Sequence, residues 1–263
     1  MAIDPGWCLI LGASSGFGAA AARAFAGAGL DVAGVHLDRR ATLPLAETVA
    51  GDVAATGRRV RFWNANAVDA AQRAAIVAEL AELCRGGSRV RVLLHSLAFG
   101  TLKPLVAAEP KDAVSSAQLA MTLDVMASSL VDWTQALRAA DLLETGARIF
   151  AMTSEGGGKA WPAYGPVGMA KAALEAAVRQ LAYELAPLEA TANAICAGVT
   201  DTPAARRIPG HDRLLETALA RNPHGRLTRP EDVARALVAL ADAGCGWLTG
   251  NVIRIDGGEG VAG

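Results

Sequence analysis

A tyrosine and a lysine stand seven residues apart in "AYGPVGMAKAALEAAV" (163–178), at the head of an Ala-rich stretch of helical pattern. Seven steps of roughly 100° return a side chain to within about 20° of its starting face, so Tyr164 and Lys171 share one face, with Lys171 further along the helix. A phenol beside a fixed ammonium is a donor suited to a developing oxyanion, because the positive charge favours the ionised phenol. Only four of the 25 basic residues are lysines, which sets Lys171 apart from scattered surface charge.

The other spacing with chemical meaning belongs to glycines. A short apolar run enters Gly12-Ala13-Ser14-Ser15-Gly16-Phe17-Gly18 and then a helical pattern. Such glycines let a strand turn tightly into a helix and let the backbone approach a pyrophosphate, whose charge rests on the helix N-terminus. A plain turn would also use glycine, but this one follows the first strand of a β-α-β series, the place of a dinucleotide loop. At the end of the second strand, "GVHLDRR" carries His36, Asp38, Arg39 and Arg40. An acid there bonds the ribose hydroxyls, whereas an arginine pairs with a 2′-phosphate. Two guanidiniums outnumber one carboxylate, so the count leans to NADPH over NADH.

The scaffold that positions these groups follows from periodicity. Strand-length apolar runs at 8–11, 32–37, 60–64, 90–96, 148–153, 192–197 and 252–255 alternate with helical patterns at 17–28, 43–56, 70–84, 115–139, 167–185, 213–220 and 230–241. Repeated β-α-β units demand a parallel sheet covered on both faces. The expected fold is therefore α/β, a single doubly wound Rossmann domain over 1–263 with a seven-stranded parallel sheet. Residues 200–230, rich in Pro, Arg and polar groups, are expected to form a loop covering the substrate.

Composition narrows the classes. A net charge of −1 without a dense basic run argues against a nucleic-acid footprint. The opening "MAIDPGWCLILG" has an acid at Asp4 and no basic n-region, so it reads as a strand rather than a signal peptide. Charge interrupts the apolar runs before they reach the roughly 18 residues of a membrane span, and the expectation is a soluble, cytoplasmic protein. Cys8, Cys84, Cys196 and Cys245 form no C-x-x-C pair, and His36, His95, His211 and His224 share no ligand spacing. Reduced thiols and no metal are expected.

The G-x-x-x-G-x-G loop resembles that of the short-chain dehydrogenase/reductase family, and the likeness continues to "WLTGNVIRIDGGEG" near the C-terminus. The resemblance implies adenine contacts at Asn66 and Ala67 in "NANAVD". It implies nicotinamide-side contacts at Ser96 and Ala98 in "HSLAFG" and at Gly198, Val199, Thr200 and Thr202 in "CAGVTDT". Ordinary members pair Tyr-x-x-x-Lys with a Ser thirteen residues before the Tyr and an Asn on the helix after the fourth strand. Here those places hold Gly168, Ala151 and Met126, with Asp124 nearby. Thr153 and Ser154, eleven and ten residues before Tyr164, offer hydroxyls that serve either a substrate carbonyl or the strand end.

Tyr-x6-Lys is the arrangement of the enoyl-acyl-carrier-protein reductases within that family, and "HSLAFG", Ala197-Gly198 and the helix after Tyr164 resemble them too. Many of those carry a second Tyr where Ser154 falls; the subgroup with this glycine loop favours NADPH. The resemblance implies hydride delivery to the β-carbon of a trans-2-enoyl thioester, with Tyr164 donating to the enolate oxygen and Lys171 holding the cofactor. Residues 204–215 with Phe99, Leu102, Trp161 and Met169 would bury the acyl chain. Six arginines against two acids between Pro203 and Pro230 would attract an acidic acyl carrier protein. Family analogy adds a homotetramer or homodimer. Two rivals share these features. A 3-oxoacyl or other carbonyl reductase is opposed by the missing Tyr-x-x-x-Lys and by Met126. A non-catalytic nucleotide-binding protein is opposed by the retained Tyr164 and Lys171.

Overall fold

The computed structural model describes residues 3–262. Strands β1 (Trp7–Leu11), β2 (Asp31–His36), β3 (Val60–Asn64), β4 (Val90–His95), β5 (Leu143–Thr153), β6 (Thr191–Ala197) and β7 (Val252–Ile255) form one sheet. Their order is β3-β2-β1-β4-β5-β6-β7, every neighbouring pair parallel. The winding direction reverses between β1 and β4, which opens a crevice at the carboxyl ends of those strands.

Helices α1 (Gly16–Gly27), α2 (Leu43–Ala55) and α8 (Pro230–Leu240) cover one face; α3 (Ala70–Leu83), α5 (Ser129–Ala139) and α6 (Gly165–Glu184) cover the other. Successive strand residues point to opposite faces. In β1, Leu9 and Leu11 therefore join Trp133 and Leu174, while Cys8 and Ile10 join Phe25 and Leu237. All five β1 residues are buried, as expected of a strand covered on both sides.

Three boundaries depart from the periodicity. The pattern over 115–139 predicts one helix, but α4 (Ser116–Leu123) is separated from α5 by a π-helical turn, Asp124–Ser128. The extra residue turns Met126 into buried contact with Val167 and Ala170. π turns of this kind concentrate at functional sites. β5 begins at Leu143 rather than 148, because Leu143 pairs with Val90 ahead of a register shift that carries Gly146 at φ +73°. Within the weakly patterned 200–230, the helical pattern at 213–220 is realised as α7 (His211–Arg221), which starts two residues earlier and ends one later. A window of Pro110–Ala139 is long and apolar enough by length and composition alone to cross a membrane, as core helices can be; Leu130, Trp133 and Leu137 within the segment are fully buried against the sheet.

The glycine loop is built without spare room. A Cβ on Gly12, whose φ is +91°, would lie 2.5 Å from the Ser96 carbonyl oxygen, and one on Gly18 would lie 2.0 Å from the Gly12 oxygen. Gly18→Ala is expected to lower the unfolding free energy by about 1–3 kcal/mol, as overpacking does. Urea denaturation measures this, and an unchanged midpoint would show that the contact relaxes freely.

Candidate active site

The loops at the carboxyl ends of β1, β4, β5 and β6 enclose a cavity of about 450 Å³. Phe17 reaches it from the glycine loop, Ser96 and Ala98 from β4, Gly198, Val199 and Thr200 from β6. Thr153, Ser154, Tyr164 and Lys171 supply the wall between β5 and α6. Ser14, Ser15 and Gly16 line an adjoining cleft with Asp201, and Thr202 borders both spaces. The glycine loop and the loop after β6 thus meet: Thr202 Cγ2 is 3.4 Å from where a Gly16 Cβ would sit.

Tyr164 is the residue from which α6 starts, and Pro166 presets the first turn. The preceding Ala163 has φ +59°, a left-handed conformation that costs a non-glycine residue roughly 1–2 kcal/mol. The loop after β5 lies directly on this turn: a Cβ on Gly156 would be 2.3 Å from the Tyr164 ring, and one on Gly168 would be 2.6 Å from the Gly156 oxygen. The position four residues after Tyr164 therefore admits no side chain, and the ammonium comes from further along the helix.

Lys171 is 5% exposed, and its Nζ donates to the Met152 carbonyl at 2.6 Å. Burial lowers its pKa to about 8, with the Glu175 charge acting the other way. It still carries a proton at neutral pH. Burial raises the Tyr164 phenol, opposed by the Ser154 hydroxyl 3.2 Å away, so the phenol is protonated and able to donate. Thr153 instead donates to Glu175 Oε1 at 2.6 Å, towards α6. Of the two hydroxyls the sequence left open, Ser154 stands with Tyr164. Met126 packs with Val167 and Ala170 beside Tyr164, so the Asn position of ordinary members is apolar here.

At the end of β2, His36 is 5% exposed, packs near Phe62, and pairs through Nδ1 with Asp38 at 2.9 Å. It supports Asp38 from behind, and Asp38 is the more accessible of the two. Burial alone would raise the Asp38 carboxyl, but hydrogen bonds from Thr42, Ser14 and His36 outweigh it and hold it below the usual range. Arg39 and Arg40 are exposed. Asn66 uses its side-chain oxygen to cap Val68 N–H at 3.3 Å, and the Ala67 carbonyl receives Trp133 Nε1 at 2.8 Å.

Over the cavity, Ile208 and Leu214 descend from 200–230, and Trp161 Nε1 donates to the Pro209 carbonyl at 3.3 Å. Phe99, Leu102 and Trp161 line the space as expected; Met169 is 43% exposed and does not. The positive excess counted along this stretch is largely cancelled in space. Arg206 is bidentate to Asp201 at 2.8 and 2.9 Å, Arg226 binds Asp232 at 2.6 Å, and Arg221 turns inward; Arg207 and Arg213 stay exposed.

Three acids of the site escaped the sequence reading. Glu175, four residues past Lys171, was detectable from helical spacing. Glu259 is 2% exposed, lines the cavity and accepts from Val199 N–H at 3.1 Å; burial raises its carboxyl. Glu155 pairs with Arg254 at 3.0 Å and Arg221 at 3.8 Å, tying the loop after β5 to β7 and α7. Nothing local in the sequence announces these last two.

Fold and site are those of a Rossmann-type oxidoreductase. Residues 12–259 match the family model described as Enoyl-(Acyl carrier protein) reductase, and the chain belongs to that family. It is 33% identical over 172 residues to enoyl-(acyl-carrier-protein) reductase (NADH) FabI of Aquifex aeolicus, a match spanning 65% of this chain and 63% of that protein. The FabI of Salmonella typhimurium is 30% identical over 194 residues, 74% of this chain and 73% of the relative. The crystal structure of the Aquifex aeolicus enzyme superposes with a TM-score of 0.82 at 25% identity, over 98% of this chain and 97% of that one.

Lys171 makes stability depend on pH when no nucleotide is present. Its folded pKa, about 8, lies below the ordinary 10.5, so the unfolded chain holds the extra proton between these values and stability rises with pH across that window. Compared with Lys171→Met, the native protein is expected to gain up to about 3 kcal/mol from pH 8 to pH 10.5 in urea titrations. Parallel curves for the two proteins would exclude a buried, titrating Lys171.

Proposed function

We propose that the protein reduces the carbon–carbon double bond of a trans-2-enoyl thioester with hydride from NADH. The observation that carries this is the convergence of the Tyr164 phenol and the Lys171 ammonium, seven residues apart, on one cavity with Ser154. Membership of the enoyl reductase family supports the substrate class.

The residues present suit a dinucleotide. Gly12, Gly16 and Gly18 form a cradle that side chains would fill, at the N-terminus of α1. In this reading Ser14, Ser15 and Phe17 complete the pyrophosphate loop, with Asn66 and Ala67 on the adenine side. Ser96, Ala98, Gly198, Val199, Thr200 and Thr202 border the nicotinamide side, and Lys171 holds the ribose. Asp38, kept ionised beside Ser14, favours ribose hydroxyls over a 2′-phosphate. The reading therefore moves from the NADPH preference of the residue count to NADH, which the relatives' names carry.

When bound, the nicotinamide supplies the hydride. Tyr164 donates a hydrogen bond to the thioester oxygen as charge gathers there, and Ser154 orients the phenol. The Lys171 charge makes the phenol a stronger donor, and the α-carbon takes a proton from water or from Tyr164. Residues 200–230 with Phe99, Leu102 and Trp161 shield the acyl chain, and Arg207 and Arg213 on the rim suit an acidic carrier protein.

The test gives purified protein a crotonyl-type thioester or an acetoacetyl-type thioester with each reduced nicotinamide. Consumption with the enoyl substrate and a higher kcat/KM for NADH are expected; consumption only with the oxo substrate would overturn the enoyl reading. Tyr164→Phe is expected to lower kcat by about 10²- to 10³-fold, the cost of one oxyanion donor, while nucleotide affinity holds. Native turnover in that variant would remove Tyr164 from the chemistry.

A further inference from the structure

β4 ends on His95, whose side chain points to the same face as Leu93, the face covered by α5 and α6. It is 0% exposed. Its Nε2 lies 2.8 Å from Ser129 Oγ, and the Ser129 hydroxyl donates to the Val125 carbonyl at 2.9 Å. A hydroxyl has one proton to give. Ser129 therefore accepts from His95, Nε2 carries the ring proton, and Nδ1 presents a bare lone pair. That atom is fully buried and has no hydrogen-bond partner among the described residues. A buried acceptor left unpaired is costly, so the site is built for a donor.

Lys171 is a donor that the strand register brings to this end of the sheet. His95 pairs in the sheet with Ala151, and the carbonyl of the next residue, Met152, receives Lys171 Nζ. Burial and then the Lys171 charge push the imidazole down to about 3, so it is neutral at working pH and its acceptor is available. An ammonium has three protons. Met152 takes one, and the ribose takes another in the reading given above. The π turn offers no polar side chain at Met126, yet it supplies the Val125 carbonyl that holds Ser129, the partner of the imidazole.

We propose that His95 is a positioning residue for Lys171, its Nδ1 accepting the third proton of the ammonium through one buried water. The role rests on Lys171 holding the nucleotide. Lost, it would leave the ammonium free to turn away from the cofactor side.

Two amides separate the ring nitrogens. His95→Asn puts an amide oxygen near the place of Nδ1, whereas His95→Gln keeps a donor for Ser129 and leaves nothing at Nδ1. Nucleotide Kd is read by reduced-nicotinamide fluorescence, turnover with the crotonyl thioester, and folding by thermal melting. The Gln variant is expected to lose about tenfold in kcat with a raised NADH Kd, the size of one hydrogen bond, and the Asn variant to stay within about threefold of native. Equal activity in the two overturns the proposal. Ser129→Ala, which frees the imidazole to turn without removing it, is expected to cut kcat several-fold; native turnover there overturns the proposal too, even if both His95 variants fail to fold. Lys171→Ala is the control: native NADH affinity in it would overturn the Lys171 reading, whereas weakened affinity there with native behaviour in His95→Gln would overturn only the role of His95.

Discussion

An ammonium taken out of water needs its lost hydration replaced, and the active end of this protein is arranged around that requirement. Lys171 receives a strand carbonyl from Met152, and the charge of Glu175 lies one helical turn on. The compensation is partial, so the pKa falls to about 8 but the charge survives at neutral pH. To place that nitrogen at the end of β5, α6 must start close to the sheet, and the loop between them must cross the first turn of the helix with backbone alone. Gly156 and Gly168 provide the clearance. The separation of Tyr164 from Lys171 is thus a packing result as much as a chemical one.

The same economy of space shapes the nucleotide side. Gly12 and Gly18 bring α1 against the sheet, and the loop after β6 comes to rest on Gly16 through Thr202. Elements from opposite ends of the chain therefore share one wall. Glu155, with Arg221 and Arg254, locks the loop after β5 to the cover helix and the last strand. Partly buried ion pairs contribute little net stability, and their value here is to hold loop, cover and strand in one arrangement.

The repeat of strands and helices was legible because each element buries a face against a neighbour, and burial imposes a period of two or about 3.6 on the residues themselves. The glycine loop was legible for a related reason: close backbone approach excludes side chains. By itself the sequence determined the α/β class and the family, and it brought Tyr164, Lys171 and the G-x-x-x-G-x-G turn into view. The π turn at 124–128 was not legible, since one extra residue in a helix leaves the apolar spacing almost unchanged. Nor was the division of labour between Thr153, the last residue of β5, and Ser154 just beyond it, whose hydroxyls turn to Glu175 and to Tyr164. Tertiary structure alone decided that Asp201 and Asp232 neutralise arginines counted as free, that Asp38 is more accessible than His36, that Glu259 lines the cavity, and that His95 is buried against Ser129. Glu259 with Val199 and His95 with Ser129 join residues distant in the chain, set by which surfaces meet when the sheet closes, while the arginine pairs and the His36–Asp38 pair form at the ends of elements and in the loops between them, so no local period records any of them.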